Sequence, residues 1–279
     1  MDYIELTLKL TPRDPWSEIL MTELADLGYE SFVETEKGIL AYAKVQDVDV
    51  ENPCKGSSIE SMDKEFHAEI AVKIIPQQNW NAVWESDFHP VFVEEQLTIL
   101  APFHDANEAK GLLVWIEPKM SFGTGHHQTT WMMSKALLEL PRVPNKVLDM
   151  GTGTGVLAII AEKQGAREII AVDIEDWSVE NTQENAARNG CTHIETYCGD
   201  VDVLDGKKFE LILANINKNV LKAHMSSYAN MLVPAGKLII SGFFETDADE
   251  LIQVAKEHGL THSGTLSRET WAALTFDKH

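Results

Sequence analysis

The chain has 279 residues, 44% of them hydrophobic, which suits one large or two ordinary globular domains. It has no uninterrupted apolar run of about 18 residues, so no transmembrane helix is expected. Lys+Arg 23 against Asp+Glu 44 gives a net charge of −21 without any basic run. That balance argues against a duplex nucleic-acid binder, and favours solubility and attraction of basic partners. Three scattered cysteines, Cys54, Cys191 and Cys198, are too few for a disulfide framework or a zinc knuckle. The opening "MDYIELTLKL" lacks the basic and apolar regions of a secretion signal, so a reduced, cytoplasmic protein is expected, with a monomer as the default state.

Residues 2–10 alternate, with Ile4, Leu6, Leu8 and Leu10 on one side, and predict a half-buried strand. "DPWSEILMTELADLG" predicts a helix with Asp14 as N-cap, Pro15 in the first turn and Gly28 as the stop. Its apolar face would hold Ile19, Leu20, Leu24 and Leu27. "SFVETEKGILAYAKV" predicts a hairpin around Glu36–Gly38, "NPCKGSSIESMDKE" a loop and "FHAEIAVKIIP" a further strand. This order predicts a small α+β domain over residues 1–75, whose first 55 residues carry 12 acidic and 5 basic side chains. Residues 76–110 predict a linker. Within it Trp80, Trp84 and Phe88 recur at helical spacing and predict a short helix.

From residue 111 onward, apolar strands alternate with amphipathic helices: strands over 146–150, 168–174, 194–200, 209–216 and 237–242, helices over 156–165, 175–190, 220–232 and 247–259. Residues 265–277 predict a closing antiparallel pair. The pattern is that of a doubly wound α/β sheet occupying residues 111–279.

Two glycine-rich stretches carry the chemistry. In "VLDMGTGTGVL", Gly151, Gly153 and Gly155 lie between the first strand and its helix, where small residues let a ligand reach backbone and a helix N-terminus. A dinucleotide fingerprint needs a glycine at the sixth position, which is Val156 here. The G-x-G-x-G spacing after Asp149 suits S-adenosylmethionine, which has no pyrophosphate to cradle. Asp173 ends the second strand, where a carboxylate can accept both ribose hydroxyls, although dinucleotide enzymes use an acid in a similar place. Asp200, after the third strand, is a candidate for the adenine amine. Asn215 in "LANIN" ends the fourth strand, where its carbonyl could accept a hydrogen bond from an amine. The other stretch is "SFGTGHHQTT", residues 121–130. Its adjacent His126 and His127 have no third partner at metal-ligand spacing, so packing or hydrogen bonding is expected of them and no metal site.

"PKMSFGTGHHQTT", "VLDMGTGTGVLAI", "AVDI" and "LANI", in this order and spacing, resemble the ribosomal protein L-eleven methyltransferases, the PrmA family. The resemblance covers most of residues 77–279. It implies a doubly wound, seven-stranded class I methyltransferase domain, preceded by a small ferredoxin-like α+β domain that recognises the substrate. It implies S-adenosylmethionine as cofactor, contacted by Thr130, Gly151, Gly153, Asp173 and Asn215, with Phe122 and Gly123 beside its methionine portion. Asn215 would be the catalytic residue. It implies methyl transfer to lysine side chains and the amino terminus of ribosomal protein L-eleven. Two other readings remain. Methylation of another amine is one, although glutamine and adenine enzymes carry Asn-Pro-Pro-Tyr where this chain has Asn215, Ile216, Asn217 and Lys218. A cofactor-binding module without catalysis is the other.

Overall fold

The computed structural model describes residues 2–60, 66–76, 85, 87–119 and 121–279, and it divides into two compact units, residues 1–87 and 88–279. None of its described helices is long and apolar enough to cross a membrane.

The first unit holds β1 (Tyr3–Thr11), α1 (Trp16–Asp26), β2 (Ser31–Thr35), β3 (Gly38–Lys44) and β4 (His67–Ile75). The strands form one antiparallel sheet in the order β2-β3-β1-β4. The alternation of β1 puts Ile4, Leu6, Leu8 and Leu10 into a core completed by Leu20 and Leu24 of α1 and by Ile39, Ala41 and Ala43 of β3. Gly38 is required where the hairpin enters β3: its φ is +152°, and a Cβ there would sit 2.0 Å from the Leu8 carbonyl oxygen.

Details of α1 differ from expectation. Pro15, not Asp14, stands at the N-cap, and Asp14 instead accepts a hydrogen bond from Ser17 Oγ at 3.3 Å. Ile19 is turned to solvent, because the buried stripe is narrower than the apolar one. The helix expected around Trp80 and Trp84 lies outside the described residues.

The second unit begins earlier than expected. Residues 88–110, expected as part of a linker, contain strands: β5 (Val91–Val93) and β6 (Leu97–Leu100) pair with each other, and β6 pairs with β7 (Leu112–Trp115). Val91, Val93, Leu97, Ile99 and Val114 are buried in the same apolar cluster as the main sheet. Short strands of three or four residues, spaced by polar turns, left too little periodicity to be read from sequence.

The main body follows as α2 (Gln128–Leu138), β8 (Lys146–Met150), α3 (Val156–Lys163), β9 (Glu168–Asp173), α4 (Asp176–Arg188), β10 (Ile194–Cys198), β11 (Phe209–Asn215), α5 (Lys218–Met231), β12 (Leu232–Phe244), α6 (Ala248–Glu257), β13 (Leu260–Arg268) and β14 (Trp271–Lys278). The sheet order is β10-β9-β8-β11-β12-β14-β13. β8 to β12 run parallel, and β14 is antiparallel to both neighbours. Alternate residues of each strand enter opposite cores: Val147, Ile169, Leu211 and Ile239 on one face, Leu148, Ile170, Ile212 and Ile240 on the other. Both faces are therefore covered, which is why these strands read as continuous apolar runs. The chain winds one way from β8 to β10 and the other from β11 to β12. The carboxyl ends of β8 and β11 consequently flank a crevice at the reversal point.

Candidate active site

At the end of β8 the backbone makes a tight turn through Gly151, Thr152 and Gly153 into α3. Both Gly151 N–H and Thr152 N–H donate to the Val172 carbonyl of β9, at 2.8 and 3.0 Å. Gly153 has a φ of +56°, and a Cβ there would lie 2.1 Å from the Phe122 carbonyl oxygen, so the loop bearing Phe122 passes against bare backbone. That loop is fastened from both sides. Thr154 N–H donates to the Phe122 carbonyl at 2.9 Å, and Thr154 Oγ1 donates to the Gly123 carbonyl at 2.6 Å.

Two carboxylates serve this turn differently. Asp149 is 1% exposed, and its Oδ2 accepts from Thr152 Oγ1 at 2.7 Å and from Ala158 N–H at 3.2 Å. Burial pushes its carboxyl up to about 6, against the pull of those two hydrogen bonds and with the charge of Asp173 adding to the rise. Asp173 lies at the end of β9 and lines the cavity. Its Oδ2 accepts from Gly153 N–H at 2.9 Å and its Oδ1 from Glu175 N–H at 3.1 Å, so each oxygen keeps acceptor capacity for a ligand.

The crevice opens into a cavity of about 610 Å³. Phe122, Gly151, Gly153, Asp173 and Asn215 all line it, as does Asp200. Asp200 Oδ1 accepts from Val201 N–H at 2.7 Å, and its Oδ2 lies 3.4 Å from His224 Nε2. Asn215 donates from Nδ2 to Thr130 Oγ1 at 3.3 Å, while its Oδ1 is buried without a partner among the described residues. Two expected contacts are not on the cavity wall. Thr130 is fully buried on α2 and, among the described residues, reaches the site through Asn215, while Gly123 is buried and uses its carbonyl to hold the glycine turn.

The paired histidines diverge. His126 bonds through Nε2 to the His89 carbonyl at 2.7 Å. His127 caps α2, accepting from Thr129 N–H, and its ring packs edge-on against Phe122 and Trp271 at 5.1 and 4.7 Å. Burial lowers its pKa, partly offset by Glu269.

Sequence reading missed several wall residues. Ile174 and Trp177 are 67% and 54% exposed at the cavity. Their signal was two large apolar side chains inside the acidic stretch "DIEDW". Val220, Ala223 and His224 come from one side of α5, at helical spacing after Asn217.

A large mixed α/β sheet with a glycine turn after its first parallel strand and an acid closing the second defines a class I methyltransferase-like protein. The sequence profile described as ribosomal protein L11 methyltransferase (PrmA) matches residues 17–279. The chain belongs to that family. A ribosomal protein L11 methyltransferase of Porphyromonas gingivalis is 40% identical over 289 aligned positions, covering 99% of this chain and 98% of that protein. One of Phocaeicola vulgatus is 35% identical, with 99% of both chains covered. The crystal structure of a ribosomal protein L11 methylase from Lactobacillus delbrueckii subsp. bulgaricus superposes with a TM-score of 0.63 at 28% identity, over 69% of this chain and all of that one.

Proposed function

We propose that the protein transfers methyl groups from S-adenosylmethionine to amines of ribosomal protein L11, namely lysine side chains and the amino terminus, in the cytoplasm. The observation that carries this reading is Asn215: a residue of the cavity that also holds the glycine turn and Asp173, its amide fixed through Nδ2 to a buried threonine and its carbonyl oxygen buried with no partner among the described residues.

The residues present fit the cofactor. Asp173 retains lone pairs for two ribose hydroxyls, and the Gly151–Gly153 backbone leaves room for close approach. Phe122 and Ile174 offer apolar surface at the rim, and Asp200 offers an acceptor for an exocyclic amine. When bound, S-adenosylmethionine supplies a methyl group made electrophilic by its sulfonium. The protein's part is alignment, worth about 7–11 kcal/mol in well-oriented systems. Asn215 Oδ1 accepts an N–H of the incoming amine and so directs the nitrogen lone pair. A lysine amine, with an ordinary pKa of about 10.4, must be neutral to attack, and desolvation in the crevice favours that form. The released proton passes to solvent.

The first unit is read as a ferredoxin-like recognition domain. Its strand order supports the ferredoxin-like reading, and its acidic surplus supports a basic protein as the substrate. Incubation of the enzyme with methyl-labelled S-adenosylmethionine and undermethylated ribosomal proteins tests the reading. Label in ribosomal protein L11, located on lysines and the amino terminus by mass spectrometry, is expected. Label elsewhere would assign another acceptor, and cofactor binding without transfer would make the protein a binding module.

A further inference from the structure

The inward side of α4 is polar: Ser178, Asn181, Thr182 and Asn185 are all buried on it. Three of these have partners. Ser178 Oγ lies 3.5 Å from Ser121 Oγ, and Thr182 Oγ1 donates to the Gly153 carbonyl at 3.1 Å. Asn185 donates to the Thr154 carbonyl and accepts from Glu117 N–H. Asn181 is different. It is 1% exposed, and neither its Oδ1 nor its Nδ2 has a hydrogen-bond partner among the described residues. Buried amides are ordinarily paired, because desolvation without compensation is destabilising.

Asn181 forms part of the wall of a second cavity, of about 530 Å³. Pro118, Lys119, Ser121, Trp177 and Glu180 are the other described residues of that wall. Ser121 and Trp177 also line the main cavity, so the two spaces share a boundary. Lys119 is engaged by Glu184, which leaves the exposed Glu180 as the charge without an ion pair among the described residues of this wall. Trp177 presents an exposed indole between the two spaces.

This combination has a chemical complement. A carboxamide with donor and acceptor both free matches a peptide group, which carries one of each. A lone carboxylate beside an indole matches a basic side chain, whose stem packs on the ring while its head meets the charge. We propose that the second cavity is an acceptor subsite, receiving the polypeptide segment next to the amine that enters the main cavity. A peptide group pairs with Asn181 and a neighbouring basic side chain with Glu180, while apolar atoms cover Trp177 and Pro118. The proposal rests on the reading of the protein as a protein methyltransferase and assigns where its substrate chain lies.

Steady-state methylation of purified ribosomal protein L11 by the full-length enzyme tests it. Asn181→Ala is expected to raise KM for the protein substrate about tenfold, as loss of a buried hydrogen bond would. The value of kcat and the calorimetric affinity for S-adenosylmethionine should stay within about twofold of the unmodified enzyme. Glu180→Gln, at an exposed position that does not threaten folding, should raise KM less, with a difference that shrinks as salt is added. An unchanged KM in both variants overturns the proposal. So does a parallel loss of cofactor affinity, which would mark Asn181 as merely structural. If Asn181→Ala does not fold, Glu180→Gln decides alone. Absence of transfer to ribosomal protein L11 by the unmodified enzyme removes the parent reading and this one with it, whereas transfer with unchanged KM in the variants removes only the subsite.

Discussion

The seven-stranded sheet is covered on both faces, by the apolar cluster around Val147, Leu211 and Ile239 and by that around Leu148, Ile212 and Ile240. The four-stranded sheet of the first unit has one core, and its edge strand β4 is exposed along most of its length, with Ile70, Val72 and Ile74 partly in solvent. A sheet buried on both faces has only strand ends to offer a ligand, and the glycine turn, Asp173 and Asn215 all stand at such ends. A sheet buried on one face offers area, which is what recognition of another protein requires. The difference supports the proposal that cofactor chemistry belongs to the second unit and acceptor recognition largely to the first.

Removing residues 2–87 is the most severe way to break that assignment. Every member of the two large apolar clusters lies at or beyond Val91, so the second unit keeps its own core. Calorimetry should find S-adenosylmethionine binding retained, while methyl transfer to ribosomal protein L11 falls on the order of 100-fold or more. Undiminished transfer would place recognition wholly within the second unit.

Asp149 and Asp173 end neighbouring strands, and burial separates them. The Asp149 carboxyl, pushed up to about 6 by desolvation, lies above its ordinary value of 3.8. As pH rises between those values the unfolded chain releases a proton that the folded chain keeps. Its contribution to stability is therefore complete below about 3.8 and is lost as pH rises through about 6. The size is about 3 kcal/mol, from roughly two pKa units. Glu162 and Asp277 are lowered, because their hydrogen bonds outweigh desolvation, and act in the opposite sense at lower pH. The informative quantity is thus the difference between the natural chain and Asp149→Asn. Both hydrogen bonds end on Oδ2, so one amide oxygen can accept them. Urea unfolding from pH 4 to pH 7 should show the variant gaining relative stability across that interval. A constant difference would show that the turn accommodates a charged Asp149. Asp173, on the cavity, should matter to binding instead: Asp173→Ala should weaken S-adenosylmethionine about 100-fold, the loss of two charge-assisted hydrogen bonds. Unchanged affinity would remove its role at the ribose.

The same difference in covering explains what could be read in advance. From Lys146 onward, strands buried on both faces appear as apolar runs bounded by glycines, and their ends named Asp173 and Asn215 directly. The family-specific stretch 121–130 was legible as a loop and helix start, but not the division of labour inside it. Phe122 faces the cavity, Gly123 and Thr130 stand behind it, and His127 is a cap. Trp177 and His224 were hidden because a helix side facing a cavity is as mixed in polarity as one facing water. The β5–β7 sheet was hidden by strand lengths too short for any period, and Asn181 by a helix whose inward side is polar.

Thr130 gives the smallest expected effect and the finest test of how a strand end is set. It is fully buried, and among the described residues its link to the cavity is the hydroxyl that accepts from Asn215 Nδ2 at 3.3 Å. That bond fixes which way the Asn215 amide faces and, in the proposed mechanism, keeps Oδ1 for the incoming amine. Thr130→Val nearly preserves shape and removes the acceptor. The amide then loses its orienting partner, and the single-turnover rate of methyl transfer should fall about tenfold, the worth of one hydrogen bond. Affinity for S-adenosylmethionine should hold, because nothing that lines the cavity has changed. A direct contact, as the family resemblance implies, gives the reverse: affinity falls and the rate from the bound state is spared. Measuring both quantities on one preparation decides whether the end of β11 is positioned from the core behind it or by the ligand in front.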